Sequence, residues 1–275
     1  SGVMVETSAN PTFTKNEIKD NKQHGVLVFE SGLGEFNGNT VTGNRENGFE
    51  VRTGGNPHVD GNDVSGNKRY GCHVCTDGLG QFVANKVHDN AMPGVYVQSC
   101  GAPLLTRNEV YNSSVGVSFV GGGRGTMEGN IIFDNIGDGV SIDTLAEPTL
   151  VGNTIRQNGR HGVAVGTDGR GSLRENDVFG NGEHCVSVID GGSITMAGNK
   201  LHDSKQSGCV VSNSGCVNME GNHLYANKLC GVEMCAGGEG VVKGNFVYEN
   251  EEGGILCSGA DSYQQDVTVD GNDVY

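Results

Sequence analysis

The chain has 275 residues, a formal net charge of −15, 47 glycines and no tryptophan. No apolar run approaches the roughly 20 residues a membrane span needs, and glycine does not recur at every third position as collagen requires. The acidic balance, with a pI near 4.8, repels phosphate backbones and anionic lipids; it excludes nucleic acid and membrane surfaces and leaves protein or glycan partners.

The nine cysteines are odd in number and irregularly spaced. A secreted disulfide framework would show an even set, so reduced thiols in a cytoplasmic or nuclear setting are expected. No signal peptide or lipidation motif is recognisable.

The organisation of the chain follows from one internal repeat. Asn stands at 16, 39, 62, 85, 108, 130, 153, 176, 199, 222, 245 and 272, and nine of the eleven steps are 23 residues. A fixed period of this size signals a solenoid. Within a period, an aliphatic residue follows the Asn at +2 (Ile18, Val41, Val64) and a second Asn at +5 (Asn21, Asn44, Asn67), replaced by Ser at Ser113 and Ser204. Gly follows at +9 (Gly25, Gly48, Gly71), then an alternating apolar pair such as Val26/Val28 or Val163/Val165. A larger apolar residue (Phe13, Phe36, Leu150) precedes the next Asn by three.

Each period therefore predicts three short strands with two-residue alternation and no helical stripe. The fold expected is all-β: a single-stranded, right-handed parallel β-helix of about 12 coils of about 23 residues, one continuous domain over 1–275. The Asn columns predict inward side-chain ladders at the corners, and the glycines are expected to supply positive φ at the turns. Both ends fall in the middle of a coil and carry no capping element, which predicts a fragment of a longer protein with further domains at one or both ends.

Chemistry in such a solenoid belongs to the outward columns, where residues one period apart stand side by side. Three columns stand out. Between the inward pair of the Gly-Val-x-Val strand run Glu50, His73 and Tyr96, on three successive coils, with Arg52, Cys75 and Gln98 two residues further on. A carboxylate, an imidazole and a phenol could exchange protons with a sugar ring, and Arg52 could neutralise a uronate carboxylate; Glu50, His73 and Tyr96 are the catalytic candidates, Arg52 and Gln98 ligand-binding ones. A second column, just before the Gly, holds Asp138, His161 and His184, either a polar turn or a metal site or proton relay. A third holds Tyr111, Phe133, Phe179, Tyr225, Tyr248 and Tyr275, of which Tyr225 and Tyr248 are candidates for stacking on a ligand. Cys72-His73-Val74-Cys75 has the outline of half a zinc site, but Cys72 is expected to face inward, as are Cys209 and Cys257, while Cys75 is expected to face out to solvent, and no second Cys-x-x-Cys accompanies the pair. Neither metal nor cofactor is expected.

The repeat Asn-x-Ile/Val-x-x-Asn-x-x-x-Gly-Val-x-Val resembles the parallel β-helix repeats of the carbohydrate-binding and sugar hydrolase type. The segments Gly152-Asn153-Thr154-Ile155-Arg156-Gln157-Asn158 and Gly169-Arg170-Gly171-Ser172-Leu173-Arg174-Glu175-Asn176-Asp177-Val178-Phe179 are most similar to the β-helix of F-box only protein 11 and relatives. That resemblance implies the substrate-recognition part of a ubiquitin ligase, and bacterial members of the repeat class include alginate epimerases. The expected function is a non-catalytic recognition scaffold for protein or glycan ligands. The alternative is a polysaccharide-active lyase, C5-epimerase or hydrolase.

Overall fold

A computed structural model describes residues 1–259 and 266–275. The described residues form three parallel sheets of 12 strands each and no helix. The first sheet opens with Val3–Val5 and Val26–Val28 and closes with Gly253–Cys257. The second runs from Thr12–Thr14 to Val267–Asp270, and the third from Glu17–Lys19 to Asp273–Val274. Every strand pairs in register with its counterpart one period on; Val26 faces Phe49, Phe49 faces Cys72, and Cys72 faces Val95. The 23-residue period is thus one coil, and the chain is the β-solenoid its periodicity predicts.

The core fills the prism between the sheets. Each strand contributes its alternating residues: Val163 and Val165 from the first sheet, Leu150 and Leu173 from the second, Ile155 and Val178 from the third are all fully buried. Both Asn columns close their ladders. The Asn39 side-chain amide donates to Asn62 Oδ1 at 2.9 Å and to the carbonyl of Phe13 at 3.0 Å, while Asn62 Oδ1 also accepts the Asn39 backbone N–H at 2.8 Å. Asn44 repeats the pattern on Asn67 at the second corner. Each amide thus satisfies backbone groups that the bend between strands leaves without a ladder partner. Where Ser204 replaces Asn, its hydroxyl still donates to Asn227 Oδ1 at 2.8 Å.

The glycines before the Val-x-Val strands do not serve the turns as expected. A Cβ on Gly139 would stand 2.5 Å from Ile155 Cγ2 and 2.7 Å from the carbonyl oxygen of Gly162, and its φ is not positive. This column is glycine because the next coil leaves no room. Positive φ occurs instead just before the ladder Asn, where Gly61 and Gly152 adopt it alongside Lys15, Ala84 and Arg107, and in the turns after the first-sheet strands, where Gly54, Gly121 and Gly191 supply it as expected.

Candidate functional site on the first sheet

The column Glu50, His73, Tyr96 lies on the outer face of the first sheet, in direct register. Outward orientation was expected to mean exposure; Glu50 is in fact buried, at 5%. The cause is the preceding turn, whose side chains lean over the strand they introduce. Asn47 donates its amide to Glu50 Oε2 at 2.6 Å, and Tyr70 stacks flat on Tyr96 at 4.4 Å between centroids and packs beside the His73 ring. Arg69 in turn sits over Tyr70, 5.3 Å from its centroid.

His73 Nδ1 lies 2.7 Å from Glu50 Oε2, and its Nε2 lies 3.2 Å from the side-chain amide of Gln98. Burial disfavours ionisation of Glu50, but the hydrogen bond and charge of His73 outweigh it and hold the carboxyl below its usual range. Burial likewise disfavours the imidazolium, yet hydrogen bonds with Cys75 and Glu50 raise the His73 pKa to about 9. The pair rests as carboxylate and imidazolium at neutral pH. Burial also raises the Tyr96 phenol, with the Tyr70 hydroxyl adding to it.

The structure brings together four of the five residues chosen on this face. Glu50, His73, Tyr96 and Gln98 form one cluster. Arg52 is exposed and lies over the Phe29 ring, 5.8 Å from its centroid. Cys75, expected to be open to solvent, is buried with its Sγ 3.6 Å from Glu50 Oε1. Asn47, Tyr70 and Arg69 were not singled out for this site. They stand three or four residues before the strand residues they cover, in a turn column that looks separate in sequence but overhangs the sheet.

Further along the same face the outward column narrows to Ser118, Ser141, Ala164 and Ser187. Above these small residues is a hollow of about 160 Å³ lined by Ser141, Asp143, Arg160, His161, Ala164 and Ser187. Ser141 donates to Asp143 Oδ2 at 2.9 Å, and His161 Nε2 lies 3.0 Å from Glu183 Oε2. His73 and Ser141 are three coils apart, about 14 Å at the inter-strand spacing.

The column Asp138, His161, His184 is a third ladder. Asp138 Oδ1 accepts the His161 backbone N–H at 3.0 Å, His161 Nδ1 that of His184 at 3.4 Å, and His184 Nδ1 that of Ser207 at 3.1 Å. With Nδ1 committed to backbone, the histidines are held as acceptors.

Tyr225 and Tyr248 lie on the third sheet, away from this face. They stack on each other at 5.0 Å, with His202 and Tyr275 on the outer sides at 4.5 and 5.5 Å. Their faces are covered by each other and by these rings; edges and hydroxyls remain for a ligand.

The model of the right-handed β-helix region matches residues 1–64, 53–201 and 138–275, and so spans the chain. No curated protein matches it. Among solved structures, the periplasmic alginate epimerase AlgG is similar with a TM-score of 0.64 at 11% identity, over 98% of this chain and 78% of that one. The mannuronan C-5 epimerase AlgE6 A-module of Azotobacter vinelandii gives 0.54 at 15%, over 97% and 90%. The catalytic unit of a thermostable GH87 α-1,3-glucanase from Streptomyces thermodiastaticus gives 0.64 at 14%, over 96% and 63%. At such identities the likeness is one of fold. The family match over the whole length, together with the three in-register parallel sheets, places this chain in the right-handed parallel β-helix family.

Proposed function

We propose that the chain is a polysaccharide-acting enzyme that transfers a proton on a sugar ring, with an extended glycan lying along the outer face of the first sheet. The observation that carries this reading is the 2.7 Å pairing of Glu50 with His73 Nδ1. A buried carboxylate on one ring nitrogen fixes the imidazole and turns Nε2 toward Gln98 and the open face, the arrangement of an oriented general acid–base. Recognition alone has no need of it.

The same geometry supports one of the chemistries the sequence left open over the others. Hydrolysis by two carboxylates needs a second acid or nucleophile, and Glu50 is engaged by both His73 and Asn47. Proton transfer at a ring carbon, as in a lyase or C5-epimerase, asks instead for an imidazole and a phenol, here His73 and Tyr96, one of which must first lose its proton to solvent to act as the base. A uronate carboxylate would meet the Arg69 guanidinium on the rim of the tyrosine stack. The serine-floored hollow provides room for sugars further along the chain. The similar solved structures include epimerases of alginate and mannuronan, which agrees with this class; at 11–15% identity they add the fold, not the site.

The test is a screen of uronate polymers and neutral glycans for unsaturated products and for exchange of ring protons with solvent deuterium. Turnover on a uronate, reduced roughly 10²–10⁴-fold by His73→Ala, is the expected result. Turnover untouched by His73→Ala and Tyr96→Phe would overturn the site. Binding of a basic peptide or protein with no turnover on any glycan would restore the recognition scaffold of the F-box only protein 11 type.

A further inference from the structure

We infer that Glu50, His73 and Cys75 form a binding site for a thiophilic divalent cation, zinc above all. One ligand atom of each residue lies within 4.8 Å of the others. Nitrogen, sulfur and oxygen from three side chains, with a fourth position left open, is the composition of a catalytic-type zinc site.

Two of the three separations, each to a different oxygen of Glu50, lie near what the ion needs. From zinc bond lengths of about 2.0–2.1 Å to nitrogen or oxygen and 2.3 Å to sulfur, a tetrahedral site separates sulfur from oxygen by roughly 3.5 Å and nitrogen from oxygen by roughly 3.3 Å. Cys75 Sγ and Glu50 Oε1 stand at 3.6 Å. His73 Nδ1 and Glu50 Oε2 stand at 2.7 Å, so the ion would replace the proton between them and open the pair by about half an ångström. Zinc sites also hold their ligands from behind. Here Asn47 fixes the carboxylate at 2.6 Å, and Gln98, 3.2 Å from the far nitrogen of His73, would accept its N–H once the amide turns to present its oxygen. The thiol selects zinc over magnesium or calcium, which prefer oxygen. Cys72 has no part in it: it is buried in the core on the opposite side of its strand. The ligand set is therefore not the Cys-x-x-Cys that the sequence displays but Cys75 with His73 on its own coil and Glu50 from the coil before.

Binding consumes the groups assigned to proton transfer. With Nδ1 on the metal, His73 loses its carboxylate partner and its Nε2 is left as a donor only, so zinc inhibits. That consequence rests on the polysaccharide-acting reading; metal binding itself does not.

The test is titration of the reduced, intact protein with cobalt(II), followed by its displacement with zinc. One cobalt per chain is expected, with the thiolate-to-cobalt charge-transfer band and the visible bands of a tetrahedral ion. Cys75→Ser should abolish the charge-transfer band and Glu50→Gln should weaken binding at least tenfold, both variants being checked for the native strand spectrum. Cys257→Ser, which changes an exposed thiol, should leave both unchanged. No band at saturating cobalt, or a band that survives Cys75→Ser, overturns the site. The two readings fail separately: turnover without a cobalt band removes the metal and keeps the enzyme, whereas a cobalt band without turnover on any glycan does the reverse.

Discussion

His184 accepts the backbone N–H of Ser207, one coil further on, through its Nδ1 at 3.1 Å. A protonated ring has no lone pair there, so the bond that joins the coils and the charged imidazole exclude one another. Burial, reinforced by the neighbouring His161, brings the His184 pKa down to about 4, although Glu183 and Glu233 nearby pull the other way. His161 shifts in the same direction, again through burial, against the pull of Asp138 and Glu183.

Acid should therefore weaken the fold. An unfolded His184 takes up its proton near its ordinary value of 6.5, and the folded one only near 4. Between those values the unfolded state binds more protons, so the contribution of His184 to stability is full above about pH 7 and falls as the pH is lowered toward 4. The urea midpoint measured across this range should decline. His184→Asn retains a side-chain acceptor, as Asn47 does for the N–H of Tyr70 in the same column, and should reduce the slope. An unchanged slope in that variant would show that His184 is not a source of the pH dependence.

The glycine columns separate two reasons for a glycine. Gly139→Ala drives a methyl into Ile155 and the Gly162 carbonyl, and overpacking against backbone costs about 1–3 kcal/mol or more. Gly152 has a φ of +61° and open space around its missing Cβ. Its replacement by Ala should cost only the left-handed penalty, about 1 kcal/mol. Chemical denaturation of the two variants should rank Gly139→Ala as the worse. Equal losses would mean that the coils can spread to admit a side chain.

The ladder Asn at mid-stack is a sharper probe of the fold. Asn153 donates to Asn176 Oδ1 at 2.9 Å and to the Met127 carbonyl at 3.0 Å, and accepts both the backbone and side-chain N–H of Asn130. Asn153→Ala leaves at least two buried backbone groups without partners. At about 1–3 kcal/mol for each, the loss should be roughly 2–6 kcal/mol, visible as a large drop in melting temperature. A drop of only a degree or two would mean that water enters the corner and replaces the amide.

The periodic features were legible because in a solenoid a single spacing fixes the neighbours. Once Asn recurred every 23 residues, the register of Phe49 on Cys72 and of Val163 on Val186 followed. Glu50, His73 and Tyr96 could be placed on one face for the same reason. What the columns could not give was contact between columns. Asn47 and Glu50, or Tyr70 and His73, are three residues apart across a bend, and whether a turn side chain leans over the strand or away from it depends on local backbone geometry that the period does not encode. The reading of the outward-facing Cys75 and Glu50 as exposed failed at this point.

Thiol labelling tests that correction directly. Orientation by column alone makes Cys75 reactive and Cys257 protected. The structure reverses this: Cys75 is 6% exposed, while Cys257, in the last strand of its sheet, is exposed despite its inward register with Met234. Cys72 and Cys209 are buried in the core, where desolvation pushes their pKa up to about 12, so thiolate, the reacting species, is scarce at neutral pH. Under reducing, native conditions a small thiol reagent should modify Cys257 first. Cys75 should follow more slowly, at a rate set by opening of the cover of Glu50 and His73, and Cys72 and Cys209 should react last, on the timescale of unfolding. Asn47→Ala removes one hydrogen bond of that cover and should speed Cys75 without speeding Cys209. Labelling of Cys75 as fast as Cys257 in the unmodified protein would mean that the turn does not close over this face in solution, and the enclosed Glu50–His73–Cys75 cluster would fall with it.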